Sequence, residues 1–174
     1  MLSPFEVRES LDNSYQAEST LAGNRLNTKL RDVGAAISVV TAQMLQDIGA
    51  TSNETLLQYT TNTEVGNIYG NMGNVGTGQI LDEKANLLTP NSNTRIRGLA
   101  SADNTMDFFL TDIPWDSYNV SRIDMQRGPN SILFGLGSPA GIINAGTHTA
   151  NVTKNRGQVE VRLSRFGSIR TSLD

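Results

Sequence analysis

The sequence predicts an α+β domain of short strands, two short helices and long loops. Three observations support this. Apolar runs suited to strands are short and scattered: Ala35-Ala-Ile-Ser-Val-Val40, Ile123 and Met125 alternating with Asp124 and Gln126, and Val159, Val161 and Leu163 alternating with Glu160, Arg162 and Ser164. Two helix starts sit close together, at Thr41 and in Thr51-Ser-Asn-Glu54. Between these segments lie stretches dense in Gly, Asn and Pro, which extend neither kind of element.

The whole composition agrees. A chain of 174 residues suits one domain. With 37% hydrophobic and 6% aromatic residues, its core is modest and aliphatic. The net charge of −3 and the lack of a basic block argue against nucleic acid as a partner. The absence of Cys removes disulfide frameworks, thiol catalysis and thiolate metal sites together. No apolar run approaches the roughly 20 residues of a membrane helix. Met1-Leu-Ser-Pro-Phe-Glu6 shows no basic region followed by an apolar stretch, so an exported form would have lost its signal or been recorded after it.

In chain order, residues 1–31 are polar and aperiodic and are expected to form a flexible arm. Ala35–Val40 is a strand. Thr41 caps a helix whose Met44, Leu45 and Ile48 share a face, and Gly49 stops it. Thr51 and Glu54 match a capping box, and Leu56, Leu57 and Tyr59 or Thr60 continue the second helix. Over residues 64–93 the glycines Gly66, Gly70, Gly73, Gly76 and Gly78 interleave with Asn67, Asn71 and Asn74, which predicts a long loop. Order returns at Thr94–Leu99 and in Asp107-Phe-Phe-Leu-Thr-Asp-Ile113 before Pro114. Ile123–Gln126 reads as a half-buried strand, and Val159–Leu163 as a second alternating one.

The densest stretch runs from Arg122 to Asn144. A strand meets Gly128-Pro129, where Pro cannot extend a central strand but suits the start of a helix. Ile132, Leu133 and Phe134 form one apolar turn; Gly135, Gly137 and Pro139 shape a loop; Ile142 and Ile143 restart a strand. By itself this is turn chemistry without a site. As a set, however, Arg127-Gly128-Pro129, Ser131, Leu133, Phe134-Gly135, Gly137, Gly141 and Ile143-Asn144 closely resemble the signature of the plug domain of TonB-dependent outer-membrane receptors. Upstream pieces resemble that family in order: Ile37–Thr41 with its helix, the Arg95-Ile-Arg97-Gly98-Leu99 "IRG" element, and Phe109–Pro114. The last departs from the family's "hydrophobic-x-DG-hydrophobic-P" pattern by lacking Gly after the acidic Asp112. The resemblance covers about residues 30–150.

The resemblance implies a small mixed sheet with short helices and long loops, followed by one unpaired barrel-type strand. Its domain plan is an arm over 1–31, a plug over 32–150, and a linker with the first strand of a truncated β-barrel over 151–174. It implies a gate and ligand-contact domain of an outer-membrane active transporter, with its N-terminus in the periplasm and the barrel absent. Such barrels have about 22 strands and hold the plug in their lumen. The implied partners are the chain's own C-terminal barrel, TonB, and a small imported ligand such as a metal chelate (a siderophore complex), cobalamin or an oligosaccharide. No cofactor and no metal site in the chain are implied. The arginines at the matching positions, Arg97 and Arg127, pair in the family with acids on the barrel wall, a role suited to the planar guanidinium; read alone, they are solvated strand-end arginines. The segment Leu2-Ser-Pro4-Phe5-Glu6-Val7 is the candidate TonB box, contacting TonB by strand addition. It departs from the usual acidic-Thr form, and a plain tail is nearly as good a reading. The loop over 64–80 is placed to contribute ligand contacts through Asn67, Tyr69, Asn71 and Asn74; a passive solvent loop fits equally.

Two other functions remain open at this level. One is a stand-alone periplasmic binding module on the same fold, which the terminal amphipathic strand disfavours because a lone module has no partner for it. The other is an enzyme. Gly135-Leu-Gly137-Ser-Pro-Ala140 matches a dinucleotide fingerprint, but Pro139 interrupts the helix that should follow and no βαβ unit surrounds it. His148, the single histidine, has no sequence neighbours suited to metal or acid–base work and reads as a strand-end residue. Ser131 lies near no base. Asp103, Asp107, Asp112 and Asp116 lack the spacing of a calcium loop.

Overall fold

The computed structural model describes residues 15–23, 26–66, 94–129, 137–149 and 157–173. In chain order the elements are β1 Ser19–Thr20, β2 Thr28–Lys29, β3 Ala36–Thr41, α1 Ala42–Asp47, α2 Asn53–Leu57, β4 Thr63–Val65, β5 Thr94–Ile96, β6 Asp103–Met106, β7 Phe109–Leu110, β8 Val120–Arg127, β9 Gly141–Thr147, β10 Val159–Leu163 and β11 Ile169–Leu173. A five-stranded sheet has the order β3-β8-β9-β6-β7. It is mixed: β6 runs parallel to β9, and the other neighbours are antiparallel.

Strand β8 lies inside that sheet and is buried on both faces, not half-buried as its alternation suggests. Ile123 and Met125 reach the apolar core with Val40, Leu45, Leu56, Leu57, Val65, Ile96 and Ile143. The opposite face carries Asp124 and Gln126, and Asp124 is only 3% exposed. What covers it is the segment expected to be a flexible arm. From Tyr15 onward that segment folds back as β1 and β2, paired through Ser19↔Lys29 and Thr20↔Thr28. Thr20 Oγ1 donates to Asp124 Oδ1 at 2.8 Å, and Arg122 Nη2 bonds both the Ser19 carbonyl (2.6 Å) and Asp124 (3.2 Å). The Tyr15 hydroxyl donates to the Asp47 carboxylate at the end of α1. The arm lacks an apolar period because side chains of β8, rather than its own hydrophobic residues, hold it in place.

The first helix forms as expected. Thr41 caps it by accepting the Met44 N–H at 3.3 Å, Leu45 is buried, and Gly49 ends the turn at φ +67°. The second differs. Its N-cap is Ser52, which makes no side-chain cap bond, so the capping box of Thr51 and Glu54 does not form there. Asn53 is recruited instead as a buried polar link. Its Oδ1 accepts the Trp115 indole N–H at 2.6 Å, and its Nδ2 donates to Asn104 at 2.6 Å. The helix stops at Leu57, leaving Tyr59 exposed. Strands β4 and β5 then pair around the interval that contains the glycine-rich stretch, so Glu64 and Val65 belong to a strand.

The segment read as one strand over Asp107–Ile113 is a hairpin and its exit. Asp107 (φ 49°) and Phe108 (φ 68°) form the turn between β6 and β7. Consecutive positive φ values are what a two-residue hairpin turn needs, and Phe is a costly choice for one. The acidic turn residue is therefore Asp107, not Asp112, and Phe108 follows it in the turn. The turn is held from β9: Asn144 Oδ1 accepts the Phe108 N–H (2.7 Å) and the Thr105 hydroxyl (2.9 Å), and the Asp107 carboxylate accepts the Thr147 N–H (2.9 Å). This gives the signature asparagine a structural role.

The terminal strand is not unpaired. Val159–Leu163 pairs with Ile169–Leu173 in an antiparallel hairpin, a second strand whose Ile-Arg-Thr-Ser-Leu alternation is short and interrupted by polar residues. Its apolar side chains fall on one exposed face, with Val159 opposite Leu173 and Leu163 opposite Ile169. The other face, Glu160, Arg162, Arg170 and Ser172, is half-buried against the domain.

Two substitutions probe this arrangement. At Gly141 (φ +132°) a Cβ would lie 2.0 Å from the Gln126 carbonyl oxygen, inside the β8–β9 ladder. Gly141→Ala should therefore cost about 4 kcal/mol or more, read as loss of the cooperative denaturant transition. Thr20→Val keeps shape but removes one donor from a buried carboxylate. It also removes the acceptor of the Ala22 N–H, so the diagnostic amide is that of Leu30, bonded to Glu18. The change should cost about 1–3 kcal/mol and accelerate exchange at Leu30 ahead of β8; unchanged exchange there would refute the covering role.

Candidate functional site

The sequence singled out two arginines, and the fold brings them together. Arg97 sits on the two-residue turn between β5 and Ala100. Its φ of 55° and that of Gly98, 69°, are both left-handed, and the Leu99 N–H closes the turn on the Ile96 carbonyl at 3.1 Å. The Arg97 N–H donates to the Asn62 carbonyl at 2.9 Å, fixing the turn against the end of α2's loop. This unusual backbone leaves the side chain exposed at the domain surface.

Arg127 ends β8 on its core-side face. Its residue is 9% exposed; Nε donates to the Thr61 carbonyl at 3.2 Å and Nη1 to Ser38 Oγ at 2.7 Å. The next residue, Gly128 (φ +99°), leaves the space past which Arg97 reaches: a Cβ there would lie 3.5 Å from Arg97 Nη1. Two guanidinium groups therefore share a small region. Burial, and then the positive charge of Arg97, push the Arg127 pKa below its ordinary value. No carboxylate lies within ion-pair distance of either arginine among the described residues. On neighbouring β4, Glu64 lies 3.0 Å from Arg95, its cross-strand partner. Among the described residues the site is thus two neighbouring guanidinium groups, of which Arg127 is held by the neutral oxygens of Thr61 and Ser38.

The remaining sequence-based candidates fall elsewhere. Pro4, Phe5, Glu6 and Val7, and Asn67, Tyr69, Asn71 and Asn74, lie outside the described residues, as do Ser131, Leu133, Phe134 and Gly135. The described end of the dinucleotide-like motif turns directly into β9: Asp103 Oδ2 accepts the Ser138 N–H at 2.6 Å, and the Ser138 hydroxyl donates to the Ser101 carbonyl at 2.6 Å. No helix follows, so that fingerprint lacks its required context. His148 follows β9, its backbone bonded to Asn119. No metal-holding cluster occurs among the described residues. Sequence reasoning missed Asp124 with Thr20, and Asp116 with Arg170, whose partners are 104 and 54 residues apart. No local pattern signals either pair.

This mixed five-stranded sheet with its few short helices is the fold of a plug domain. The family profile described as TonB-dependent Receptor Plug Domain matches residues 29–142, and the chain belongs to that family, whose place is the bacterial outer membrane. The chain is 29% identical over 136 residues to the ferrichrome outer membrane transporter/phage receptor of Escherichia coli strain K12, covering 74% of this chain and 16% of that protein. It is 26% identical over 139 residues to the metal-pseudopaline receptor CntO of Pseudomonas aeruginosa, covering 80% and 18%. The chain thus spans less than a fifth of the curated relatives it matches. Among solved structures, Pseudomonas aeruginosa FpvA bound to heterologous pyoverdines superposes with a TM-score of 0.73 at 18% identity, over 92% of this chain and 20% of that one. The alcaligin outer-membrane receptor FauA of Bordetella pertussis gives 0.71 at 16%, over 92% and 26%.

The crowded cations predict a sign. In residues 1–174 alone, Arg97→Gln removes repulsion on Arg127 while keeping a side chain at the same strained φ. It should stabilise the domain slightly, by about 0.3 kcal/mol at low salt after discounting for exposure. A destabilisation measured by urea titration would show that Arg97 already has a counter-charge.

Proposed function

We propose that this chain is the gate and ligand-contact domain of an outer-membrane active transporter, with Arg97 and Arg127 locking it to acidic residues of the surrounding barrel wall. The observation that carries this reading is the doubled cation. Folding places two guanidinium groups together, one of them buried, and among the described residues no acid lies within ion-pair distance of either. A buried cation without a counter-charge is costly. It makes sense as half of an interface whose other half is a carboxylate pair, bound through planar two-point contacts.

The hairpin β10–β11 supports the same reading. An apolar outward face backed by a polar inward one is the pattern of a membrane barrel strand. We take it as the start of the wall. That exposed apolar face disfavours a stand-alone periplasmic module, for which it would be an aggregation hazard. The relatives named above are a transporter and a receptor, and we read the role as transport.

The substrate in this reading is a small scarce chelate, siderophore-like in class, because the relatives named above are receptors for such compounds. Energy comes from TonB acting on the chain before Tyr15, with Pro4, Phe5, Glu6 and Val7 as its contact. Asn67, Tyr69, Asn71 and Asn74 contribute to the ligand side. Deleting residues 2–7 in the full receptor should abolish uptake while ligand binding persists; retained uptake would refute that contact.

The lock predicts a reversal. Arg97→Gln, mildly stabilising in the chain alone, should loosen the plug in the full receptor by about 1–3 kcal/mol, as expected for a charge-assisted bond lost from an interface. Arg127→Gln should do the same. The readout is the urea midpoint for protease access to the plug inside the barrel; an unchanged midpoint together with unchanged transport would sink the lock.

A further inference from the structure

The inward face of the β10–β11 hairpin presents an electrostatic problem. Arg162 and Arg170 stand directly opposite one another across the two strands. Like charges opposed on one face of an antiparallel pair repel. Within residues 157–173 the hairpin has one acid, Glu160, and it bonds Arg162. Arg170 finds its counter-charge outside the hairpin, in Asp116 of the plug.

Asp116 is well placed for this. Its carboxylate caps the short 3-10 turn Ser117–Asn119 by accepting the Tyr118 N–H at 3.2 Å, and its carbonyl accepts the Asn119 N–H at 3.2 Å. The acid is therefore held by backbone immediately before β8. A small open cavity of about 70 Å³ runs along the same seam, lined by Gln46, Tyr118, His148, Glu160 and Arg162 among others. The ion pair lies beside this cavity, not in it, and each of its side chains is 37% exposed, which makes the contact breakable instead of a dry, permanent joint.

We propose that Asp116 and Arg170 form a second tie between plug and wall, of opposite polarity to the first: here the plug supplies the acid and the wall supplies the arginine. The inference rests on taking the hairpin as the first piece of the wall. Without the plug, Arg162 and Arg170 would face each other with only Glu160 between them. The two opposed arginines of the hairpin's inward face each have an acid only when the plug is seated, so the pair acts as a seating contact.

The test uses the full-length receptor in liposomes and follows leak of a neutral fluorescent solute too large for the closed protein. Asp116→Asn retains the cap on Tyr118, since Asn accepts that bond as well as Asp, and removes only the charge. Asp116→Asn and Arg170→Gln should each raise the leak about two- to fivefold, the scale of a half-exposed ion pair. The double variant should leak no more than the worse single one, because both remove the same contact. High salt should bring the wild type toward the variants. Wild-type leak in both single variants, or additive effects in the double, would overturn the proposal. Failure of the plug reading itself shows separately: deletion of residues 29–142 would then leave the leak at the wild-type level.

Discussion

The burial of β8 on both faces is the constraint on which the rest of the domain depends. A strand inside a sheet usually shows its setting by being apolar throughout. Val120–Arg127 instead alternates, and each face is satisfied in a different way. Ile123 and Met125 enter the aliphatic core. Arg122 and Asp124 recruit the chain from Ser19 to Thr20 as a lid of hydrogen bonds. On its long edge β9 approaches so closely that only Gly141 fits. At its end the strand delivers Arg127 to the surface region where Arg97 waits. The N-terminal segment, the sheet crossing and the paired cations all follow from one strand.

The two faces differ in how they would respond to load. The core face is held by apolar burial, which is insensitive to direction and accumulates over many contacts. The lid face is held by a few polar contacts: Thr20 to Asp124, Arg122 to Ser19, and Tyr15 to Asp47. Its apolar contribution is small, with Ala17 and Ala22 buried and Leu26 exposed. Polar contacts of this kind act over short distances and separate abruptly. A pull applied ahead of Tyr15 meets this lid before it meets the core.

How much of this was legible in the sequence depends on the range of the interactions. Thr41, Gly49 and the β3 run act within a few residues, and each is where the sequence put it. The signature glycines and Asn144 were legible as a pattern but not as causes. Gly141 answers a cross-strand clash with Gln126, and Asn144 holds a turn near residue 107. The misreadings share one origin. Tyr15–Lys29 looks disordered, Thr51–Glu54 looks like a cap, and Asp107–Ile113 looks like one strand because each was judged by its own composition. Each is decided by a distant partner: Asp124 for the first, Trp115 and Asn104 for Asn53 in the second, and Asn144 and Thr147 for the third. At the site, the family pattern identified Arg97 and Arg127, but only the fold showed that they crowd each other with no acid beside them among the described residues.

Opposite polarity at the two proposed ties has a physical consequence. A plug held only by its own arginines would carry a concentrated positive patch into the wall, and any anion in the lumen could compete for it. Placing an acid at Asp116 and the matching arginine on the hairpin spreads the complementarity over both partners. A single displaced counter-ion then cannot release both contacts. The partial exposure of Asp116 and Arg170 keeps that proposed second contact weak, as befits a joint that opens. The buried environment of Arg127 makes the first contact strong once an acid is supplied, because desolvation amplifies the attraction that it first opposes. In the proposed role, a domain that seals a pore yet leaves it on demand is well served by one strong tie and one weak tie of reversed sign.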